Sequence, residues 1–246
     1  MFDFQPVTCR LDGYHGTSIR PNTWGHYWNK WGFDFHIDSS GQSGSNFILP
    51  TANKSSTAIP IVGGKGKFSG GEIISGRHFP DDWQGNLISA PFKENRVARW
   101  EFSDDGSGYA MKQLSPLIVS TDGNFRPVDM KMGPDGALYI ADWYNPLIGH
   151  MQYHFRDPGR DFTHGRIWRV TAKNRPLVPR FDFTKASIKE LLEQLKAPEE
   201  FNRAQARRVL AERNRKDVLA AMAKWVKLLD VVWDVDPDYD HHRLEA

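Results

Sequence analysis

The sequence predicts a mainly β chain with a C-terminal α segment, in which about three four-stranded blades of a propeller precede short amphipathic helices. Three observations predict it. Nine Trp, fifteen Phe and seven Tyr occur with twenty-one Gly and fifteen Pro, the balance produced by aromatic strands between Gly/Pro turns. Hydrophobic runs that start just after a turn glycine recur at intervals of about fifty residues. Near residue 180 the composition changes from Gly, Pro and aromatics to Ala, Leu, Glu, Lys and Arg.

The recurring stretches are KWGFDFHIDS (30–39), DWQGNLISAP (82–91) and GPDGALYIAD (133–142), with key glycines Gly32, Gly85 and Gly136. An Asp follows six residues after the first and third glycine, as Asp38 and Asp142, and Trp31, Trp83 and Trp143 are expected at equivalent places. Other short apolar or alternating runs are EIISGR (72–77), RVARWEF (96–102), LIVS (117–120), VDMKM (128–132) and GRIWRV (165–170), each bounded by turn residues. GPDG (133–136) fits a tight turn in which Asp135 caps its own backbone and Gly136 takes positive φ. About four strands per fifty residues is the spacing of a propeller blade, and rings close with roughly four to eight blades. Room for about three therefore predicts the end of a propeller; the alternative is a compact three-sheet domain that closes differently.

NRPLVPRFDF (174–183) reads as an extended connector. After it, Ser187 and Glu190 form a capping box, and Ile188, Leu191, Leu192 and Leu195 make one apolar stripe. Pro198 ends that helix. The next carries Phe201, Ala204, Val209 and Leu210, and Asn214 caps a third bearing Val218, Leu219, Met222, Trp225, Val226 and Leu229. Such a series predicts the opening of an α-solenoid, or else a plain helical hairpin packed on the propeller flank. The expected organisation is a leader at 1–20, blades at 21–178, and helices with a tail at 179–246.

Thirty-two basic against thirty acidic residues leave a net charge of +2, which gives no electrostatic reason to expect nucleic acid. No apolar run is long enough for a spanning helix. The opening MFDFQPVTCR lacks the apolar core of a signal peptide. A lone cysteine, Cys9, excludes an intramolecular disulfide, a multi-Cys zinc site and the CxxCH haem motif.

No complete catalytic motif is present. GGKGK (63–67) lacks the Ser/Thr and helix of a phosphate loop and reads as a plain loop. His26, His36, His78, His150, His154 and His164 lie in the β part. The last three fall in a long insertion (147–165) that also holds Arg156, Asp157, Arg160 and Asp161; an Arg–Asp network fixing the loop is preferred to a metal on the 150/154 pair. The acidic tail DVDPDYDHH (234–242) lacks the glycine of a calcium loop and is expected to be frayed. Lys93 and Arg126 sit at strand ends, where two cations converging on an axial pocket would bind an anion.

The strings GNLISAPFKENRVARWEF, FRPVDMKMGPDGALYIADWYNP and GRIWRVTAKNRPLV resemble the last blades of quinoprotein glucose/sorbosone dehydrogenase-like, TolB-like six-bladed propellers. More narrowly they resemble the bacterial membrane-bound dehydrogenase family, in which propeller, HEAT repeats and a haem-binding cytochrome c domain follow one another. NTWGHYWNKWGFDFHIDSSG is similar to the preceding blade, and SIKELLEQLKAPEEFNRAQARRVLAERN to the opening HEAT repeats, which implies helices of HEAT/armadillo type. The likeness covers roughly residues 21–227. It implies pyrroloquinoline quinone (PQQ) and calcium as cofactors, oxidation of a sugar or alcohol, a cytochrome c electron acceptor, and a periplasmic or cell-envelope location. It also implies that Lys93 and Arg126 contact the anionic oxygens of the quinone; the family's second arginine is Val128 here. The family's histidine base and most calcium ligands lie in blades that precede these. The chain is thus expected to be a truncated C-terminal portion, inactive alone. The alternative is a non-catalytic propeller–solenoid scaffold that binds carbohydrate or a protein.

Overall fold

The structure is a computed structural model. It describes residues 2–5, 8–14, 22–38, 44–50, 56–91, 93–148 and 153–246. Most elements are antiparallel strands, with a few helices at the C-terminus.

A short hairpin of β1 (Phe2–Gln5) and β2 (Arg10–Tyr14) comes first. The first large sheet runs β3 (Thr23–Trp28), β4 (Asp34–Asp38), β5 (Gly44–Pro50) and β6 (Ser56–Pro60), each strand paired with the one before. The second repeats this order with β7 (Phe68–Ile73), β8 (Leu87–Pro91), β9 (Arg96–Asp105) and β10 (Gly108–Gln113), and β11 (Ile118–Val119) adds onto β9. The third consists of β12 (Pro127–Met132), β13 (Leu138–Asp142) and β14 (Arg166–Val170). Among the described residues it therefore has three strands, where the expected repeat has four.

The first strands of the three sheets lie side by side. A Cβ on Gly25 of β3 would stand 3.3 Å from Gly70 Cα of β7, and one on Gly70 would stand 3.0 Å from Asp129 Cα of β12. Ser69 Oγ also donates to the Pro127 carbonyl at 3.3 Å. Small residues at these points are what lets backbone approach backbone.

Strand alternation explains what fills the space between the first two sheets. Tyr27, Phe35, Ile37 and Phe47 project from one sheet, and Phe68, Leu87, Trp100 and Met111 from the next. Phe35 meets Tyr109 edge-on at 4.9 Å and Phe102 at 5.2 Å, while Phe102 stacks on Tyr109 at 5.1 Å. Such pairs add about 0.5–1.5 kcal/mol each beyond the area they bury. All five residues of β8 are buried, so both faces of the middle sheet are covered.

All three repeat glycines take positive φ, +78° at Gly32, +79° at Gly85 and +75° at Gly136, and each stands two residues before the second strand of its sheet. In the GPDG turn, Gly136 N–H donates to the Gly133 carbonyl at 3.0 Å and Ala137 N–H to Asp135 Oδ1 at 3.1 Å. The tryptophans are not equivalent. Trp31 lies in the β3–β4 turn, Trp83 in a 3-10 turn (Asp81–Trp83) before β8, and Trp143 beyond the far end of β13. Backbone geometry constrains the glycine position, whereas a half-exposed indole near a strand end is under no such constraint. The strand expected at 72–77 also sits earlier, as β7, because the chain leaves the sheet after Ile73.

The chain divides into two compact units. One comprises Met1–Ile74, Gly85–Lys131 and Tyr139–Arg169, and the other Ser75–Gln84, Met132–Leu138 and Val170–Ala246. Within the second, Arg77 clasps Glu199 through Nε at 2.7 Å and Nη2 at 3.0 Å. The buried His78 accepts the Ala172 N–H at Nε2 (2.8 Å) and faces the Pro176 carbonyl with Nδ1 (2.9 Å), an arrangement that requires the neutral ring protonated on Nδ1.

Helix α1 (Ile188–Gln194) opens on the expected capping box, with Ser187 and Glu190 satisfying each other's backbone N–H. Helix α2 (Glu200–Glu212) and α3 (Arg215–Val231) follow, the latter capped by Asn214. Leu191, Leu192, Leu195, Ala206, Leu210, Trp225 and Leu229 form their shared core. Phe201 and Ala204 of α2 are only half-buried, while Arg203 is buried in their stead. Its guanidinium donates to the Ala197 and Pro198 carbonyls and pairs with Glu200 and Glu245. The tail is not frayed either: α4 (Tyr239–Leu244) forms, and its end brings Glu245 to Arg203 and Arg207. Long-range charge pairing of this kind leaves no local signature.

Candidate functional site

The ends of the third sheet's strands carry a connected polar cluster. Asp142 closes β13 and is buried. Its Oδ1 accepts the backbone N–H groups of Arg126 (2.8 Å) and Tyr144 (2.9 Å), and its Oδ2 accepts Arg166 Nε (2.7 Å) and Trp168 Nε1 (2.8 Å). Burial by itself would raise the Asp142 pKa, but these four donors together hold it below the usual carboxylate range.

Arg166 opens β14 and bridges two acids, donating through Nη1 to Asp122 at 2.7 Å. Burial acts to lower its pKa, and the two carboxylates outweigh that and raise it. Its guanidinium lies 4.3 Å above the Tyr144 ring and 5.0 Å from that of Trp168, a cation–π arrangement. Tyr144 itself holds a φ of +55°. A bulky residue there costs on the order of 1–3 kcal/mol, and such strain concentrates at functional sites. The Asp142 hydrogen bond and the overlying guanidinium compensate it.

Arg126, expected to reach an anionic ligand, is buried beside this cluster. Its Nε donates to the Asn145 carbonyl at 3.0 Å, Nη2 to the Pro146 carbonyl at 3.2 Å and Nη1 to the Lys93 carbonyl at 3.4 Å. Burial lowers its pKa, and Asp142 partly offsets the shift. The structure thus brings Lys93 and Arg126 together through the Lys93 main chain, with the Lys93 residue exposed. Asp122, Tyr144, Arg166 and Trp168 belong to the cluster without any sequence motif. Only Asp142 carries a signal, its spacing from Gly136.

Elsewhere, His164 Nδ1 pairs with Asp161 at 2.7 Å and Arg160 donates to the carbonyls of His154, Leu147 and Tyr153. Among the described residues of this loop, Arg160 is held by carbonyls and Asp161 by His164, in place of the expected Arg–Asp pairs. His150 lies outside the described residues. Gly63 and Gly66 give 63–67 a turn that no helix follows. Cys9 is exposed. Among the described residues no group of three or more His, Cys, Asp or Glu is arranged to hold a metal ion, and no helix is long and apolar enough to cross a membrane.

Residues 48–174, more than half of the chain, match the family described as Domain of unknown function (DUF7133). The chain belongs to this family. That stretch of the DUF7133 chain takes in the second sheet, the third sheet and the Asp142 cluster. No curated protein matches. Among solved structures, the chain is similar to a Thermus thermophilus oxidoreductase described as a glucose dehydrogenase, at 18% identity over 61% of this chain and 44% of that one, with a TM-score of 0.41. It is similar to a luciferin-regenerating enzyme at 16% identity over 64% and 47%, with a TM-score of 0.40. The soluble aldose sugar dehydrogenase of Escherichia coli gives 18% identity over 61% and 44%, with a TM-score of 0.36. The chain spans less than half the length of these structures, and likenesses of this size decide neither architecture nor activity.

Proposed function

We propose that the DUF7133 chain forms adjoining blades of a propeller of the sugar- or alcohol-oxidising quinoprotein type and serves it as a rigid, non-catalytic wall. Two up-and-down sheets and a three-stranded third, with first strands β3, β7 and β12 side by side, support the blade reading. Arg126 carries the rest. A guanidinium that recognises a quinone's carboxylates needs its N–H fork open toward the ligand. Here the fork is directed at three main-chain carbonyls and braces the loop after β13 against the turn after β8. With valine at the second arginine position, the residues present do not fit PQQ. The blades at 21–178 and HEAT-type helices at 179–246, in a periplasmic or cell-envelope protein, complete this reading.

Titration of the purified chain with PQQ and calcium, followed by tryptophan quenching, tests it. No saturable quenching is expected. Saturable quenching that Arg126→Gln abolishes would overturn it.

The exposure of Lys93 beside Arg126 favours a second reading, in which both residues contact the cofactor of a sugar or alcohol dehydrogenase that passes electrons to a cytochrome c. On that reading Lys93→Ala weakens quinone binding in a protein that carries the full ring of blades.

A further inference from the structure

Between the end of α2 and the start of α3 lies a groove of about 360 Å³. Leu210, Val218, Leu219 and Met222 form its apolar lining; Arg207 and Glu245, paired with each other, also line it, and Arg213 and Arg215 stand on it as further cations. Leu219 is 54% exposed. Arg213 donates to the Thr184 and Ala186 carbonyls, whereas the exposed Arg215 side chain has no partner among the described residues. The site also lies at the N-terminal end of a seventeen-residue helix, whose dipole adds to the positive potential.

The other end of the same helix carries the opposite chemistry. Val231, Trp233 and Val235 are 76%, 64% and 73% exposed, and the exposed Asp234 between them has no partner among the described residues. Asp230 and Asp236 flank this segment, but each is already engaged within the chain, Asp230 by Tyr239 and Arg243 and Asp236 by His242. Three large apolar side chains standing in water beside an unpaired carboxylate are costly unless something covers them.

We propose that the groove receives the Val231–Val235 segment of a second copy of this chain. Two α3 helices running antiparallel about a two-fold axis place the C-terminal end of each against the N-terminal end of the other, so one contact is made twice. Trp233 enters the Leu210–Met222 groove and Asp234 meets Arg215 of the opposite copy. Charge complementarity selects this occupant: Arg215 at the start of α3 and Asp234 just beyond its end are of opposite charge, at ends that antiparallel pairing brings together. The proposal is independent of any activity of the β part.

Sedimentation equilibrium of the full chain, from micromolar to hundreds of micromolar, tests it. The expected result is a reversible monomer–dimer equilibrium that weakens with salt. Asp234→Arg and Arg215→Asp each raise the dissociation constant by about tenfold or more, because the altered pair occurs twice. The double variant Asp234→Arg/Arg215→Asp restores most of the loss, and Trp233→Ser removes association while leaving the circular dichroism spectrum intact. A chain that stays monomeric throughout, open-ended assembly, or a dimer indifferent to the 215/234 pair would each overturn the proposal; the last would assign the groove to another occupant.

Discussion

Arg166 Nε and Asp142 Oδ2 stand 2.7 Å apart, joining the first residue of β14 to the last residue of β13. The carboxylate is fully shielded from water, and the guanidinium side chain keeps 26% of its exposure. This pair decides how the ends of the third sheet hold together. Removing the acid leaves Arg166 with Asp122 alone, and an indole N–H and two backbone N–H groups without their acceptor.

Asp142→Ala is therefore expected to destabilise the chain by about 3–5 kcal/mol, the cost of breaking one side of a buried, hydrogen-bonded charge pair. Asp142→Asn keeps one acceptor oxygen and loses less. Urea denaturation followed by tryptophan fluorescence measures both, and equal midpoints for wild type and Asp142→Ala would refute this role.

Stability should fall in acid for the same reason. The folded-state pKa of Asp142 lies below its unfolded value, so the group's contribution is present above the unfolded pKa of about 3.9 and is lost as pH drops through the folded value. Denaturation midpoints should hold between pH 6 and 5 and decline from about pH 4 downward. In Asp142→Asn the acid decline should be shallower.

The three repeat glycines separate backbone strain from crowding. At Gly32 and Gly85 a Cβ would meet nothing within 4 Å, so alanine should cost only the positive-φ penalty of roughly 1–2 kcal/mol. At Gly136 the same Cβ would stand 2.6 Å from Val178 Cγ2 and 3.0 Å from His78 Cβ. Gly136→Ala should lose about 1–3 kcal/mol more, and Val178→Ala should rescue part of that excess in thermal melts.

In the helical unit, Arg203→Met should lower stability by several kcal/mol, on the order of 3–5, because the buried Glu245 loses a guanidinium and keeps only Arg207 and His241 beside it. The additional Glu245→Gln change should recover part of the loss. Calorimetry on the two variants gives the comparison, and strict additivity would dismiss the coupling.

Local rules made much of the fold legible. Gly32, Gly85 and Gly136 mark second strands because only a residue without Cβ enters the left-handed region cheaply. Ser187 with Glu190, and Asn214, mark helix starts because their side chains satisfy orphan N–H groups within one turn. The site was less legible. Arg126 reads as a cation at a strand end, and nothing in the sequence says that carbonyls from positions 93, 145 and 146 will surround it. Arg203 looks like a surface residue of an amphipathic helix until Glu245 folds back upon it.

The amino-acid order alone reveals the three repeat glycines, the GPDG turn, the caps of α1 and α3 and the change from β to α near residue 180. Each depends on interactions a few residues long. The tertiary structure alone decided that Asp142 gathers Arg126, Tyr144, Arg166 and Trp168, that Arg126 braces backbone in place of a ligand, and that the acidic tail becomes α4. A buried charge takes whichever partners the packed chain brings within about 3 Å, and that proximity joins residues far apart in the sequence.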